Sequence, residues 1–151
     1  MHKKYFFFDI DGTLTDNKTH KIVPSAKRTL DQLKANGHFV SIATGRAHYK
    51  AISFTDKINI HNIVCNGGGC IVIDDQVVDL QPIPLKESIH ILEQADQNHV
   101  GWLLALNDDD TVIMKDYRFL ETAGRRKELT TYLYDPSLDY HTLPSIMKMY
   151  L

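Results

Sequence analysis

Apolar residues in this chain come as short unbroken runs alternating with stretches of helical spacing. The aromatic run Tyr5 to Phe8 predicts a strand, and its lack of alternation predicts burial on both faces. In "VPSAKRTLDQLKANG", Ala26, Leu30 and Leu33 share one helical face. A helix is expected from about Ser25 to Asn36, stopped by Gly37. The same reading gives a second strand over Phe39 to Ala43, a second helix across His48 to Phe54, and a third strand over Ile63 to Cys65. Strands alternating with helices imply a parallel sheet with right-handed crossovers.

Beyond Gly69 the rhythm changes. "CIVIDDQVVDLQ" predicts a hairpin around Asp74-Asp75-Gln76, and Pro82 and Pro84 then punctuate the chain. Leu85, Ile89, Leu92 and Ala95 fall at helical spacing over Leu85 to His99. "GWLLALNDDDTVIMKD" reads as two strands around a turn from Asn107 to Asp110, and "SIMKMYL" as a final strand. The expected organisation is an α/β part over residues 1–80 and an α+β part over residues 81–151. Ending inside a strand pattern leads us to expect that a longer chain continues.

Composition narrows the function classes. With 151 residues, 43% of them hydrophobic, the chain can fill an ordinary core. Its 17 basic and 19 acidic residues offer no basic surplus for nucleic acid or an anionic membrane. No stretch nears the ~18 apolar residues of a membrane span, and the first apolar run is too short for a signal peptide. A cytoplasmic location is the default expectation. Cys65 and Cys70 read as reduced structural thiols, too few for a disulfide framework or a zinc site.

The chemistry lies where the first three strands end. Asp9 and Asp11 follow the first, Thr44-Gly45-Arg46 the second, and Asn66 with a glycine run beginning at Gly67 the third. In parallel sheets, ligands bind beyond the carboxyl ends of the strands. Two carboxylates two residues apart repel unless a cation or proton intervenes, and Mg²⁺ needs only one or two protein carboxylates beside waters and phosphate oxygens. Gly12 permits a sharp bend that exposes amides to an anion, and the Thr44 hydroxyl and Gly45 amide can hold phosphate oxygens. Blander readings stand beside these. Thr44 alone fits a hydroxyl at a helix start, the Asn66 to Gly69 segment fits a flexible turn, and Asp108 to Asp110 fit a hairpin turn.

"FFFDIDGTLTD" and "VSIATGR" resemble the first two motifs of the haloacid dehalogenase superfamily. Together with "IVCNGGGCIV", they resemble its Cof-type phosphatase-like subgroup. The resemblance implies an α/β Rossmannoid parallel-sheet core, here incomplete, with an α+β cap inserted after the third strand. The roughly twelve residues between Leu14 and Ser25 are too few for a cap at that point. It further implies Mg²⁺-dependent hydrolysis of a small phosphorylated metabolite, with sugar phosphates favoured. Asp9 would be the nucleophile and Asp11 the general acid and base. Mg²⁺ would be held by the Asp9 carboxylate and Asp11 through its backbone carbonyl. Gly12, Thr44 and Gly45 would hold phosphate, and Arg46, Asn66 and Gly67 would contact substrate. The family's third-motif lysine and fourth-motif acidic loop have no counterpart here: Lys148 stands in a strand pattern, and "LNDDDT" falls within the α+β part. A chain truncated before those motifs leaves an alternative, an inactive remnant that binds a ligand or partner.

Overall fold

The computed structural model describes residues 2–126 and 130–151. By contact density the chain divides into two compact units, Met1–Leu80 and Gln81–Leu151.

The first unit holds strands β1 (Tyr5–Phe8), β2 (Phe39–Ala43), β3 (Ile63–Cys65), β4 (Cys70–Ile73) and β5 (Gln76–Leu80) in one sheet, arranged in that order. β1, β2 and β3 run parallel, and β4 and β5 continue antiparallel. Helices α1 (Pro24–Ala35) and α2 (His48–Ile58) form the two crossovers. Because both crossovers step the same way across the sheet, right-handed connection places both helices on one face. A single cluster accordingly joins Leu30 of α1 and Ala51, Phe54 and Ile58 of α2 to Val40, Ile42, Ile63, Cys65, Cys70 and Val72 of the sheet. Both cysteines are buried and reduced.

This one-sided arrangement corrects the expectation that β1 is buried on both faces. Phe8 packs against the core, whereas Tyr5 is 65% and Phe7 56% exposed. Among the described residues β1 lies at the sheet's edge, and Tyr5 and Phe7 point to the face opposite the α1 and α2 cluster. Smaller differences have local causes. α1 begins at Pro24, whose fixed φ suits a first helical position. α2 continues past Phe54 to Ile58, whose side chain enters the core, and ends at Asn59 in the left-handed region. In the β4–β5 hairpin Asp74 and Asp75, both at positive φ, make the turn, and Gln76 already belongs to β5.

The second unit is a four-stranded sheet of β6 (Leu103–Ala105), β7 (Thr111–Met114), β8 (Thr131–Tyr134) and β9 (Lys148–Tyr150), in the order β8-β7-β6-β9. Helix α3 (Leu85–Gln97) covers one face through Leu92 and Ala95, which meet Trp102, Leu104, Tyr140 and Ile146. Helix α4 (Arg118–Ala123) brings Phe119 to the other face against Leu103, Ala105, Val112 and Met114. Sequence patterning did not anticipate α4 or β8. Six residues are too few to display a helical period, and β8 sits at the sheet's edge with most of its residues exposed.

Asp96 ties this unit together. Its carboxylate accepts from Trp102 Nε1 at 3.0 Å, Arg118 at 2.9 Å and the Tyr140 hydroxyl at 3.3 Å. Partial burial pushes its pKa up, but these donors outweigh it and hold the carboxyl below its ordinary range. Gly101 is equally constrained, since a Cβ there would collide with the backbone of Phe119. Gly101→Ala is therefore expected to destabilise the protein by about 1–3 kcal/mol through overpacking, read as a lowered urea midpoint. An unchanged midpoint would show that α4 can shift freely.

Candidate active site

The site begins with Ile10. Its side chain has no solvent exposure and belongs to the first unit's core, while Asp9 and Asp11 on either side are exposed. Backbone alternation thus turns both carboxylates away from the core. The chain then tightens over Ile10–Leu14, with Gly12 at φ +77°. The Ile10 carbonyl closes this turn, accepting from the Thr15 amide at 3.1 Å and the Thr15 hydroxyl at 2.9 Å. An added Cβ at Gly12 would lie 3.1 Å from Asn17 Oδ1, and the positive φ itself disfavours any side chain.

Strand register brings the three expected segments to one edge. Phe8 stands level with Ile42, and Ala43 with Val64, so Asp9, Thr44 and Asn66 each follow the last residues of neighbouring parallel strands. The Thr44 amide donates to the Val64 carbonyl at 2.9 Å. The buried Thr44 hydroxyl accepts from the Arg46 amide at 3.2 Å. The Asn66 amide donates to the Arg46 carbonyl at 2.8 Å, and the Gly67 amide to the Thr44 carbonyl at 3.3 Å. Asn66, Gly67 and Gly68 all adopt positive φ. The segment is therefore an ordered turn stitched to the end of β2. A Cβ at Gly45 would meet nothing within 4 Å, so open space adjoins it.

Arg46 makes the connection that sequence reasoning missed. Its guanidinium grips the Asp11 carboxylate at both oxygens, Nε to Oδ2 at 2.8 Å and an Nη to Oδ1 at 2.5 Å. The guanidinium also lies 5.9 Å from the centre of the Phe54 ring on α2. Such bidentate pairs are the strong, directional form of Arg–carboxylate contact. The hydrogen bond from Arg46 is the main reason the Asp11 pKa falls below its ordinary value. The pairing joins residues 35 positions apart, so no local pattern could reveal it. Lys148, weighed as a substitute for a missing lysine, lies on β9 in the second unit.

Among the described residues no cluster of three or more His, Cys, Asp or Glu side chains could hold a metal by itself. The oxygens at the end of β1 nevertheless suit a hard divalent ion in kind. Mg²⁺ commonly takes one or two protein carboxylates and completes its shell with water and phosphate.

A sequence profile of the haloacid dehalogenase-like hydrolases matches residues 6–149, and the chain belongs to that family. It is 34% identical over 128 residues to the Bacillus subtilis protein named "Putative phosphatase YkrA", covering 84% of this chain and 49% of that protein. It is 30% identical over 105 residues to a phosphoglycolate phosphatase of Nitrosopumilus maritimus, covering 65% of this chain and 44% of that protein. The matched region spans about half the length of each of these two relatives. Among solved structures, a hypothetical protein of Geobacillus kaustophilus aligns with TM-score 0.72 at 24% identity, covering 98% of this chain and 57% of that one. The subclass IIB sugar phosphatase BT4131 aligns with TM-score 0.70 at 21% identity, over 98% and 57% of the two chains. These likenesses establish the mixed α/β fold over about half of the larger proteins.

Gly12→Ala is expected to cost roughly 1–2 kcal/mol from the left-handed backbone alone and to lower the melting temperature. A melting temperature equal to wild type would mean that the turn relaxes without strain.

Proposed function

We propose that this site performs phosphomonoester hydrolysis on a small phosphorylated metabolite, with sugar phosphates the favoured class. The observation that carries the reading is the outward pair Asp9 and Asp11 around buried Ile10, at the same edge as Thr44 and Arg46. Family membership and the phosphatase names of its relatives support it.

In this reading an Asp9 carboxylate oxygen attacks phosphorus, and the P–O bond to the leaving alkoxide breaks as Asp11 delivers a proton to it. Asp11, now ionised, takes a proton from water as that water attacks the aspartyl-phosphate. Inorganic phosphate leaves and Asp9 is restored. The Thr44 hydroxyl and the amides of Gly12 and Gly45 orient the phosphoryl oxygens, and Asn66 and Gly67 line the substrate side. Mg²⁺, the family's usual ion, would be held by the Asp9 carboxylate and the Asp11 backbone carbonyl, and when bound supplies positive charge to the phosphoryl group.

Arg46 has two partners to serve. Its grip favours ionised Asp11, the form suited to activating water, whereas protonating a leaving group requires that grip to loosen. A phosphoryl group offers the guanidinium an equally good bidentate partner. Substrate entry would thus draw Arg46 toward phosphate and release Asp11 for its acid role.

The second reading is a ligand-binding protein without turnover, favoured by the absence of a three-carboxylate cluster among the described residues. Assays with p-nitrophenyl phosphate and Mg²⁺ separate the two. Hydrolysis predicts that Asp9→Asn abolishes turnover and that Asp11→Asn lowers kcat ~10²–10⁴-fold. Arg46→Ala should lower kcat/KM by up to ~10²-fold through misplaced groups. Wild-type turnover in Asp9→Asn would refute the hydrolytic role, and phosphate binding without turnover in the wild type would select the second reading.

A further inference from the structure

Between the turn at Gly12 and helix α1 lies a segment to which the proposed reaction gives no part. Thr15 and Ile22 pair as an antiparallel bridge, and the Asp16 amide donates to the Lys21 carbonyl at 3.0 Å. Residues 15–22 therefore form a small hairpin with the sequence "NKTH" at its tip.

Asp16 fixes that tip. Its Oδ1 accepts from the Thr19 amide at 2.8 Å, the Thr19 hydroxyl at 3.0 Å and the Lys18 amide at 3.0 Å. These bonds, chiefly that from the Thr19 amide, hold its carboxyl below the ordinary range. The Asp16 carbonyl accepts from the His20 amide at 2.8 Å, and His20 reverses the chain at φ +53°. The third carboxylate of "DIDGTLTD" is thus engaged in building the hairpin.

The tip folds back onto the candidate active site. A Cβ added at Gly12 would meet Asn17 first, with Oδ1 at 3.1 Å and Cγ and Nδ2 each at 3.9 Å. The Asn17 carboxamide therefore lies against the Gly12 turn, and its residue is exposed. His20 lies within electrostatic reach of Asp11, where its charge adds to the larger effect of the Arg46 hydrogen bond. Two side chains of one tip thereby stand beside Gly12 and Asp11, while Arg46 holds Asp11 from the end of β2.

This placement bears on the organic part of the ligand. In the proposed reaction Asp11 passes its proton to the leaving oxygen, so groups beside Asp11 stand beside the alcohol portion of the ester. The tip offers that portion no apolar surface, since Asn17, Lys18, Thr19 and His20 are all polar and exposed. A carboxamide both donates and accepts, and so matches a hydroxyl on both counts. An aryl or alkyl group would desolvate it without replacing the lost bonds.

We propose that Asn17, assisted by His20, is a specificity-determining residue that hydrogen-bonds hydroxyl groups on the alcohol portion of the substrate and so favours polyol and sugar phosphates over aryl and alkyl phosphates. The assignment rests on the phosphate-ester reading of the site and gives the preference to named side chains of the first unit.

Two phosphonates, whose P–C bond is not hydrolysed, make the test independent of turnover. One is the methylene phosphonate analogue of glucose 6-phosphate; the other is benzylphosphonate, whose organic part has no hydroxyl. Titration calorimetry of the 151-residue chain with Mg²⁺ gives Kd for each. Wild type should bind the sugar phosphonate more tightly. Asn17→Ala should weaken that ligand about five- to tenfold and leave benzylphosphonate within about twofold, and His20→Ala should act in the same direction by a smaller factor. The melting temperature of Asn17→Ala should match wild type, because Asp16 holds the hairpin. An equal loss for both ligands would make Asn17 a phosphate or structural contact, and no loss for either would remove it from the site. Each of these results overturns the proposal, as does tighter binding of benzylphosphonate by wild type. A wild type that binds neither phosphonate would instead refute the phosphate-ester reading, and the specificity role with it.

Discussion

Burial of one side chain sets the direction of the chemistry. Ile10 is drawn fully into the first unit's core, and the strand's alternation then forces Asp9 and Asp11 outward together. Burying a branched aliphatic side chain contributes about 1.5–3 kcal/mol, enough to hold a short turn whose own hydrogen bonds are few. Gly12 and the doubly bonded Ile10 carbonyl complete the constraint by reversing the chain at once. The two carboxylates are presented at a fixed spacing instead of fraying into a mobile loop.

Asp9 and Asp11 stand two residues apart at the end of β1, and the segment after β2 supplies a cation to one of them. The bidentate contact of Arg46 with Asp11 sits on a half-exposed carboxylate, so its net contribution to stability is small. Its value lies in organisation. The Arg46 backbone bonds to Thr44 and Asn66 while its side chain reaches Asp11 and Phe54. One residue therefore links the ends of β1, β2 and β3.

Much of this was legible in the sequence because it is locally encoded. The bounds of β2 and β3, the positions of Asp9, Asp11, Thr44 and Asn66, and the bend at Gly12 follow from apolar runs ending in polar and glycine residues. What escaped is encoded non-locally. An aromatic run gives no sign that only one face is covered, so Tyr5 and Phe7 read as buried. The Arg46–Asp11 pair depends on strand order, and α4 on packing of six residues against the second unit's sheet. Gly101 carries no special φ and is required only because the backbone of Phe119 passes over it, a demand invisible without the fold.

The reading proposed for this site is phosphoryl transfer to Asp9. The most direct measurement is chemical trapping: incubation with a small phosphodonor and Mg²⁺, a quench, and borohydride reduction that converts an aspartyl-phosphate to homoserine, followed by peptide mapping. The account predicts homoserine at position 9, lost in Asp9→Asn and retained in Asp11→Asn. Modification at another residue, or none at position 9 while phosphate is released, would contradict it.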